Sequence, residues 1–410
     1  MRIAIIGGGA SGLMAALCCR EGVEVDIYEQ NGEPGKKILA SGNGRCNISN
    51  SSLSSSDYYG EHPSFVNRAL AEFDYKRFER FCASIGLLLN IRDDGRVYPL
   101  SNEAKSVHEI FCSELERRGV RLLCGHRIEE VKKSGKNFLL KSNGSTESYD
   151  RLLVAAGSPA APQLGGGRGG LKIAESFGHR IVEPYPTLVG LRLKGSLHER
   201  MSGLKCEAKI TLYVDSKRKE EIEGDLLFTR YGISGFGVLD ISTTASAALK
   251  NGRRVVASLN ILPGFSRQAL VSQLEKISKT LPDNSLFLTL HGILPKRAVS
   301  ALLEYLKMDP KRAAGSLTPK EIRRIASTIC DWRFEVEDTH GYRHAETAGG
   351  GVATDEVDPA TMESKIVPGL YFSGEVLDIV GRRGGYNLHF AWASGYLAGR
   401  SMSKSYTNPK

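Results

Sequence analysis

At 410 residues the chain exceeds the usual size of one domain, so two or three domains are expected, each able to bury its own core. A hydrophobic fraction of 41% beside 25% charged residues is that of a soluble globular protein, and no run of about 18 apolar residues offers a membrane span. The 55 basic and 46 acidic residues leave a net charge of +9, which favours anionic partners or serves solubility alone; eight cysteines without a Cys-x-x-Cys argue against a zinc site and a redox disulfide and suit a cytoplasmic chain.

Residues 2–6 read as a short buried strand, residues 10–21 carry small and apolar residues at helical spacing, and residues 23–28 alternate as a second strand. This is a β-α-β unit. Its apolar start resembles a signal peptide, but three consecutive glycines interrupt it and no small-residue cleavage site follows, so it is read as folded structure. Helices are expected over 64–85 and from Glu103 to Arg118, and strands over 120–124, 137–142 and Arg151–Ala156. Residues 187–262 read as β-rich, with runs at 206–214, 226–229 and 253–262. Residues 265–329 read as helical, with helices Ser266–Leu281, Lys296–Leu306 and Pro319–Cys330. Strand texture returns at Trp332–Val336, and a last helix is expected from Tyr386 to Arg400. The expected domains are therefore a discontinuous Rossmann-type domain (1–186 and 341–410), an inserted β-rich substrate domain (187–263 and 331–340) and a small helical domain (264–330).

The chemistry begins at Gly7-x-Gly9-x-x-Gly12. The first glycine allows a tight turn, the second lets backbone approach a pyrophosphate, and the third lets the helix pack closely on the strand. Ala10 and Ser11 open that helix, whose free N–H groups suit phosphate. Glu29 ends the next strand, where a carboxylate can accept from a ribose, and Gln30 follows it. A second match, Gly165-x-Gly167-x-x-Gly170, has no strand before it and reads as a glycine-rich loop near a ligand or a hinge. Ala156 and Gly157, at the end of the Arg151 strand, are further candidate cofactor contacts.

Later segments point to FAD. In residues 35–50, Ser41, Gly42, Gly44 and Asn47 allow close approach to a flat ligand, and Lys36, Lys37 and Arg45 can neutralise phosphate; an ordinary basic surface loop is the competing reading. Gly374, Glu375 and Asp378 form a strand end running into an acid-bearing turn of the kind that holds a flavin's ribityl chain. Gly384, Gly385, Tyr386 and Asn387 then open the last helix. Cys46 is the candidate catalytic group: neighbouring cations would favour a thiolate able to move a proton, and a buried packing cysteine is the alternative. His340, His344 and His389 are further acid–base candidates, each also readable as structural.

Residues 35–50, Thr347–Val352 and Thr361–Asn387, with Leu226–Gly235 and Asp331-Trp-Arg333, resemble the bacterial BaiN-like FAD-dependent family, and the resemblance runs over essentially the whole chain. It implies an α/β fold with a glutathione-reductase-like FAD domain and the activity of an FAD-dependent oxidoreductase. Bile-acid reductases, aminoacetone oxidases and ribosomal RNA dihydrouridine synthases have been assigned to that family. Ala348-Gly349 and Arg382-Arg383 depart from its pattern, the second at a place expected to border the flavin and bear on substrate choice. No second dinucleotide fold is evident, so NADH or NADPH as transient reductant would dock over the flavin or the inserted domain. Three functions are carried forward: reduction of a uridine C=C bond in ribosomal RNA, oxidation or reduction of a small molecule such as an aminoketone or enone, and flavin binding without turnover. The first draws on a basic stretch, Lys296, Arg297, Lys307, Lys311, Arg312, Lys320, Arg323 and Arg324, which equally suits a solvated helix surface.

Overall fold

A computed structural model describes residues 1–404. The chain divides into two compact units, Met1–Tyr185 with the chain from Thr347 onward, and Pro186–Glu346.

The first unit is built on β1 (Arg2–Ile6), α1 (Ala10–Leu17) and β2 (Glu24–Glu29). β1 lies at the centre of a five-stranded parallel sheet, flanked by β2 and then Arg121–Cys124 on one side and by Arg151–Val154 and then Leu370–Phe372 on the other. A strand covered on both faces needs an unbroken apolar run, and Ile3, Ala4 and Ile5 are fully buried. Truncating Ile5 to Ala would cost about 3 kcal/mol through lost burial and the cavity left behind. The fifth strand comes from the C-terminal segment, so the sheet is completed only after the second unit has been made.

The last helix, Tyr386–Met402, packs against α1 at backbone distance. A Cβ on Gly395 would lie 2.4 Å from the Ser11 carbonyl oxygen, and one on Gly399 would lie 2.1 Å from that of Ala15. Glycines one turn apart thus let the two helices touch, which brings the start of the last helix to the fingerprint side of the sheet. A three-stranded antiparallel sheet, Ser49–Asn50, Arg96–Pro99 and Leu89–Ile91, carries the 35–50 segment away from the main sheet.

The second unit is a closed antiparallel barrel of six strands: Leu191–Leu193, Gly232–Ser234, Lys217–Phe228, Lys205–Val214, Val255–Asn260 and Trp332–Thr339. Closure removes exposed edges from a sheet of short strands. Three expectations need correction here. Residues 236–250, read within a β-rich stretch, form a helix, Phe236–Lys250, whose Ser, Thr and Ala residues are buried without strong amphipathic contrast. The helical stretch 264–330 shares one hydrophobic core with the barrel, through Leu270, Leu274, Leu302 and Ile325 beside Leu259 and Trp332, instead of enclosing a core of its own. The expected helix over 64–85 is broken at Asp74, whose side chain caps a new helix by accepting from the Arg77 N–H at 2.8 Å.

Candidate functional site

The three fingerprint glycines are required for different reasons. Gly7 has φ 110°, and a Cβ there would lie 2.4 Å from the Ala155 oxygen; a Cβ on Gly12 would lie 2.0 Å from the Gly7 oxygen. Both are demanded by the chain's own packing. Gly9 is not: its φ of −82° is open to any residue, and a Cβ would meet nothing within 4 Å. The chain's own packing does not demand glycine there, which leaves the backbone open to a group brought against it, and Gly9 is also the N-cap of α1, which has no side-chain cap. The first-turn N–H groups of α1, at Ala10, Ser11 and Gly12, are thus donors without an intrahelical acceptor, beside a place where only backbone lies. This is the cradle a pyrophosphate requires, and the residues present fit one.

Glu29 is buried at the end of β2 and held in place. One carboxylate oxygen accepts from the Gly8 N–H at 2.9 Å, and the other from the Asn31 N–H at 2.7 Å and the Asn31 amide at 2.6 Å. Gly8 and Asn31, which the sequence did not single out, therefore orient the acid. Gln30 donates to the Gly165 carbonyl at 2.7 Å. The second glycine loop thereby meets the Glu29 strand end.

Lys37 and Glu375 form an ion pair at 2.6 Å, and Ser158 donates to the same Glu375 oxygen at 3.0 Å. Three segments far apart in sequence thus meet at one carboxylate, next to Gly374, where a Cβ would lie 2.6 Å from the Ser11 hydroxyl at the start of α1. Ser158 directly follows Ala156 and Gly157, and a Cβ on Gly157 would meet nothing within 4 Å. Lys36 opens the same short helix as Lys37, Lys36–Ala40, whose end is held by the Ser41 hydroxyl donating to the Ile38 carbonyl at 2.7 Å. Asp378 is buried and accepts from the Glu61 N–H at 2.8 Å, so one of its oxygens anchors a loop. The Ser373 hydroxyl is buried with no hydrogen-bond partner among the described residues, a donor kept in reserve between the last strand and this turn.

The 42–50 and 381–387 segments interlock. The Asn47 amide, oriented so that its nitrogen donates to the Ser49 and Val97 carbonyls, accepts from the Gly385 N–H at 3.1 Å. Asn50 donates to the Gly384 carbonyl at 3.0 Å, and Trp392 to the Ile48 carbonyl at 3.0 Å. Asn387 accepts from the Gly381 N–H at 2.7 Å and donates to the Gly381 carbonyl at 2.8 Å, and the Tyr58 hydroxyl donates to the Tyr386 carbonyl at 3.1 Å. Gly385, at φ 96°, would place a Cβ 2.1 Å from the Ser49 oxygen, so the turn opening the last helix exists only because this residue is glycine. Gly42 and Gly44, at φ 57° and 80°, shape the matching turn.

The thiolate expectation for Cys46 is corrected. Cys46 is fully buried, and burial pushes its thiol up to about 12, the reverse of what neighbouring cations would do. Arg45 points elsewhere: its Nε donates to the Gly42 carbonyl and its guanidinium lies 5.7 Å from the Tyr98 ring centre. His389 is equally enclosed. Its Nε2–H donates to the Phe73 carbonyl at 2.9 Å and its Nδ1 accepts from the Ser49 hydroxyl at 2.8 Å, while burial holds it down at about 4, as a neutral brace. His340 and His344 belong to the second unit, where His340 stacks between Tyr231 at 3.6 Å and the exposed His344 at 3.9 Å; burial, then His344 and Arg192, hold His340 below its ordinary range. The Arg382 guanidinium, expected to border the flavin, is bound to Asp57 at 3.1 Å.

Curated relatives resemble the chain along nearly its full length. A 3-dehydro-bile acid delta(4,6)-reductase of Clostridium scindens is 37% identical, covering 98% of this chain and 99% of its own. A ribosomal RNA dihydrouridine synthase of Escherichia coli is 33% identical, covering 97% of each. Among solved structures, a 3-ketosteroid delta1-dehydrogenase from Sterolibacterium denitrificans shares the fold at 12% identity and a TM-score of 0.50, covering 98% of this chain and 99% of that one. A dinucleotide cradle on a parallel sheet, with a barrel unit inserted before the last strand, defines an FAD-dependent oxidoreductase of Rossmann type. Within that class the chain belongs to the family described as HI0933-like protein Rossmann domain, whose model matches residues 1–401.

Proposed function

We propose that this chain reduces a carbon–carbon double bond conjugated to a carbonyl, that NADH or NADPH is the reductant, and that the preferred acceptor is a uridine in ribosomal RNA. FAD, when bound, would supply hydride to the carbon β to the carbonyl, and the α carbon would take its proton from solvent. The uracil 5,6 bond and the unsaturation of a delta(4,6) 3-keto steroid are both conjugated to a carbonyl, so the two curated relatives bear names implying one kind of bond and two kinds of molecule. In this reading the N-terminus of α1, with Gly9, Ala10, Ser11 and Gly12, takes the pyrophosphate, and Glu29 takes the adenosine ribose. Glu375, set by Lys37 and Ser158, faces the ribityl end. The interlocked turns at Gly42–Asn47 and Gly384–Asn387 carry the flavin ring, with the free N–H groups of the last helix beside its pyrimidine.

The observation that favours RNA over a small acceptor is the state of the basic stretch. Arg312 is bound to Glu321, and Arg297 donates to the Ser202 carbonyl. Lys296, Lys307, Lys311, Lys320, Arg323 and Arg324 are exposed and have no carboxylate partner among the described residues. Lys320, Arg323 and Arg324 lie three and four positions apart on the helix Pro319–Cys330, so like charges face one another, an arrangement that a bound polyanion relieves. A small enone of the bile-acid type is the second reading, favoured by the higher identity to that reductase. Photoreduced holoenzyme, mixed anaerobically with uridine-containing RNA or with a 3-keto-4,6-diene steroid, separates them. Rapid flavin reoxidation by RNA alone supports the first reading, and by steroid alone the second. Reoxidation by neither would leave a flavin carrier.

A further inference from the structure

Beside the flavin loop lies a pocket of about 410 Å³ lined by Arg45, Asn90, Ile91, Arg92, Asp93, Asp94, Arg96 and Tyr98. Its floor is the small antiparallel sheet, in which Asn90 lies opposite Tyr98. The Tyr98 ring is bracketed by two guanidinium groups, Arg45 at 5.7 Å and Arg92 at 5.6 Å from its centre. Neither forms an ion pair among the described residues; Arg45 bonds the Gly42 carbonyl, and Arg92 reaches the Asn102 amide oxygen at 3.5 Å. Arg96 by contrast is taken up by Asp94 at 2.7 Å. Ile91 is 47% exposed, an apolar side chain left in water at the pocket wall, and Asp93, on the same turn as Arg92, is exposed and has no ion pair among the described residues.

An apolar face, two guanidinium groups and a carboxylate without ion pairs among the described residues, and an amide, in a volume of ligand size, match the parts of an adenosine phosphate. In such a fit the base would lie on Ile91 with its edge at Asn90, the ribose hydroxyls would donate to Asp93, and the phosphates would bind Arg45 and Arg92. The pocket is also tied to the cofactor turns. Gly95 closes the Arg92–Arg96 turn against Asn50, and Asn50 donates to the Gly384 carbonyl. We infer that this pocket holds the adenosine-phosphate end of the nicotinamide dinucleotide that reduces the enzyme, an assignment that rests on the NADH or NADPH reading above.

The test uses FAD-loaded full-length protein, with ADP-ribose as the binding probe and stopped-flow bleaching of the flavin by NADH and by NADPH. Arg92 is exposed, and its guanidinium bonds the Asn102 amide oxygen and lies over the Tyr98 ring, neither of them an FAD candidate, so Arg92→Ala is expected to keep full FAD content. It should weaken ADP-ribose at least tenfold and raise the half-saturating nucleotide concentration by a similar factor, with the limiting bleaching rate unchanged. Arg92→Lys should recover part of the loss, and Asp93→Asn should weaken ADP-ribose separately. Nucleotide that bleaches wild type and Arg92→Ala with equal half-saturation overturns the pocket assignment and leaves the reductant reading standing. Wild type bleached by neither nucleotide overturns the reductant reading, and the pocket's ligand with it. If a uridine-containing RNA displaces ADP-ribose, and Arg92→Ala weakens the RNA but not the bleaching, the pocket serves the RNA strand and its assignment to the nicotinamide dinucleotide is overturned, while the reductant reading stands.

Discussion

Gly9 and Gly12 sit three residues apart in one motif, yet they answer to different forces, and substitution separates them. Gly12→Ala puts a Cβ 2.0 Å from a carbonyl that cannot move without shifting β1, so insoluble or unfolded protein is expected. Gly9→Ala meets no protein atom, so it should fold at the cost of a weaker helix N-cap alone, about 1 kcal/mol or less, while losing FAD affinity at least tenfold, about 1.4 kcal/mol or more, measured as FAD retained on dialysis. Cys46→Ala should keep flavin reduction and acceptor turnover within about twofold and lower stability by about 1 kcal/mol, as for any small buried side chain. Native protein should also shield Cys46 from iodoacetamide, read by peptide mass spectrometry. His389 brings a pH dependence. Its folded value of about 4 lies below the ordinary 6.5, so the unfolded chain binds more protons between those limits. Stability from this group is complete above pH 6.5 and is lost as pH falls towards 4, by an amount on the order of 3 kcal/mol. His389→Gln should flatten the fall in melting temperature between pH 7 and pH 5.

At the scale of elements, two loops and a helix start hold one another through Asn47, Asn50 and Asn387, and none of these bonds involves a charge. Asn387→Ala removes both bonds to Gly381, so faster FAD release with an intact far-ultraviolet spectrum is expected. On the helix Pro319–Cys330, replacing Lys320, Arg323 and Arg324 together by Ala should lower the salt dependence of RNA binding, the log–log slope falling by about 2 on the single-strand scale. Elements with one dominant signal were legible in the sequence: β1 as an unbroken apolar run, β2 by alternation, and Pro319–Cys330 as a helix, which the structure shows with a capping box at Thr318 and Glu321. Phe236–Lys250 was not, because a helix buried on most sides loses its polar stripe and its Ser and Thr residues read as strand or loop. The charged half of Lys217–Phe228 was missed for the opposite reason: its Glu221 is held by Lys209 and Thr211 of the neighbouring strand, and that pairing has no local signature.

For the whole molecule, what the sequence could carry was contact along the chain. The fingerprint, the acid and the glycine turns each announced themselves locally. That Glu375 would meet Lys37 and Ser158, and that Cys46 would be sealed beneath its loop instead of facing a ligand, depends on packing between segments hundreds of positions apart. Arg45 shows the same limit: adjacent to Cys46 in sequence, it turns outward to Tyr98. The central claim is that the flavin's electrons reach a uridine in ribosomal RNA, and it is tested most directly by nucleoside mass spectrometry of ribosomal RNA from cells with and without this chain. The account predicts that dihydrouridine falls when the chain is removed and returns with the wild-type chain but not with Gly9→Ala. Ribosomal RNA with unchanged dihydrouridine in cells lacking the chain would contradict it.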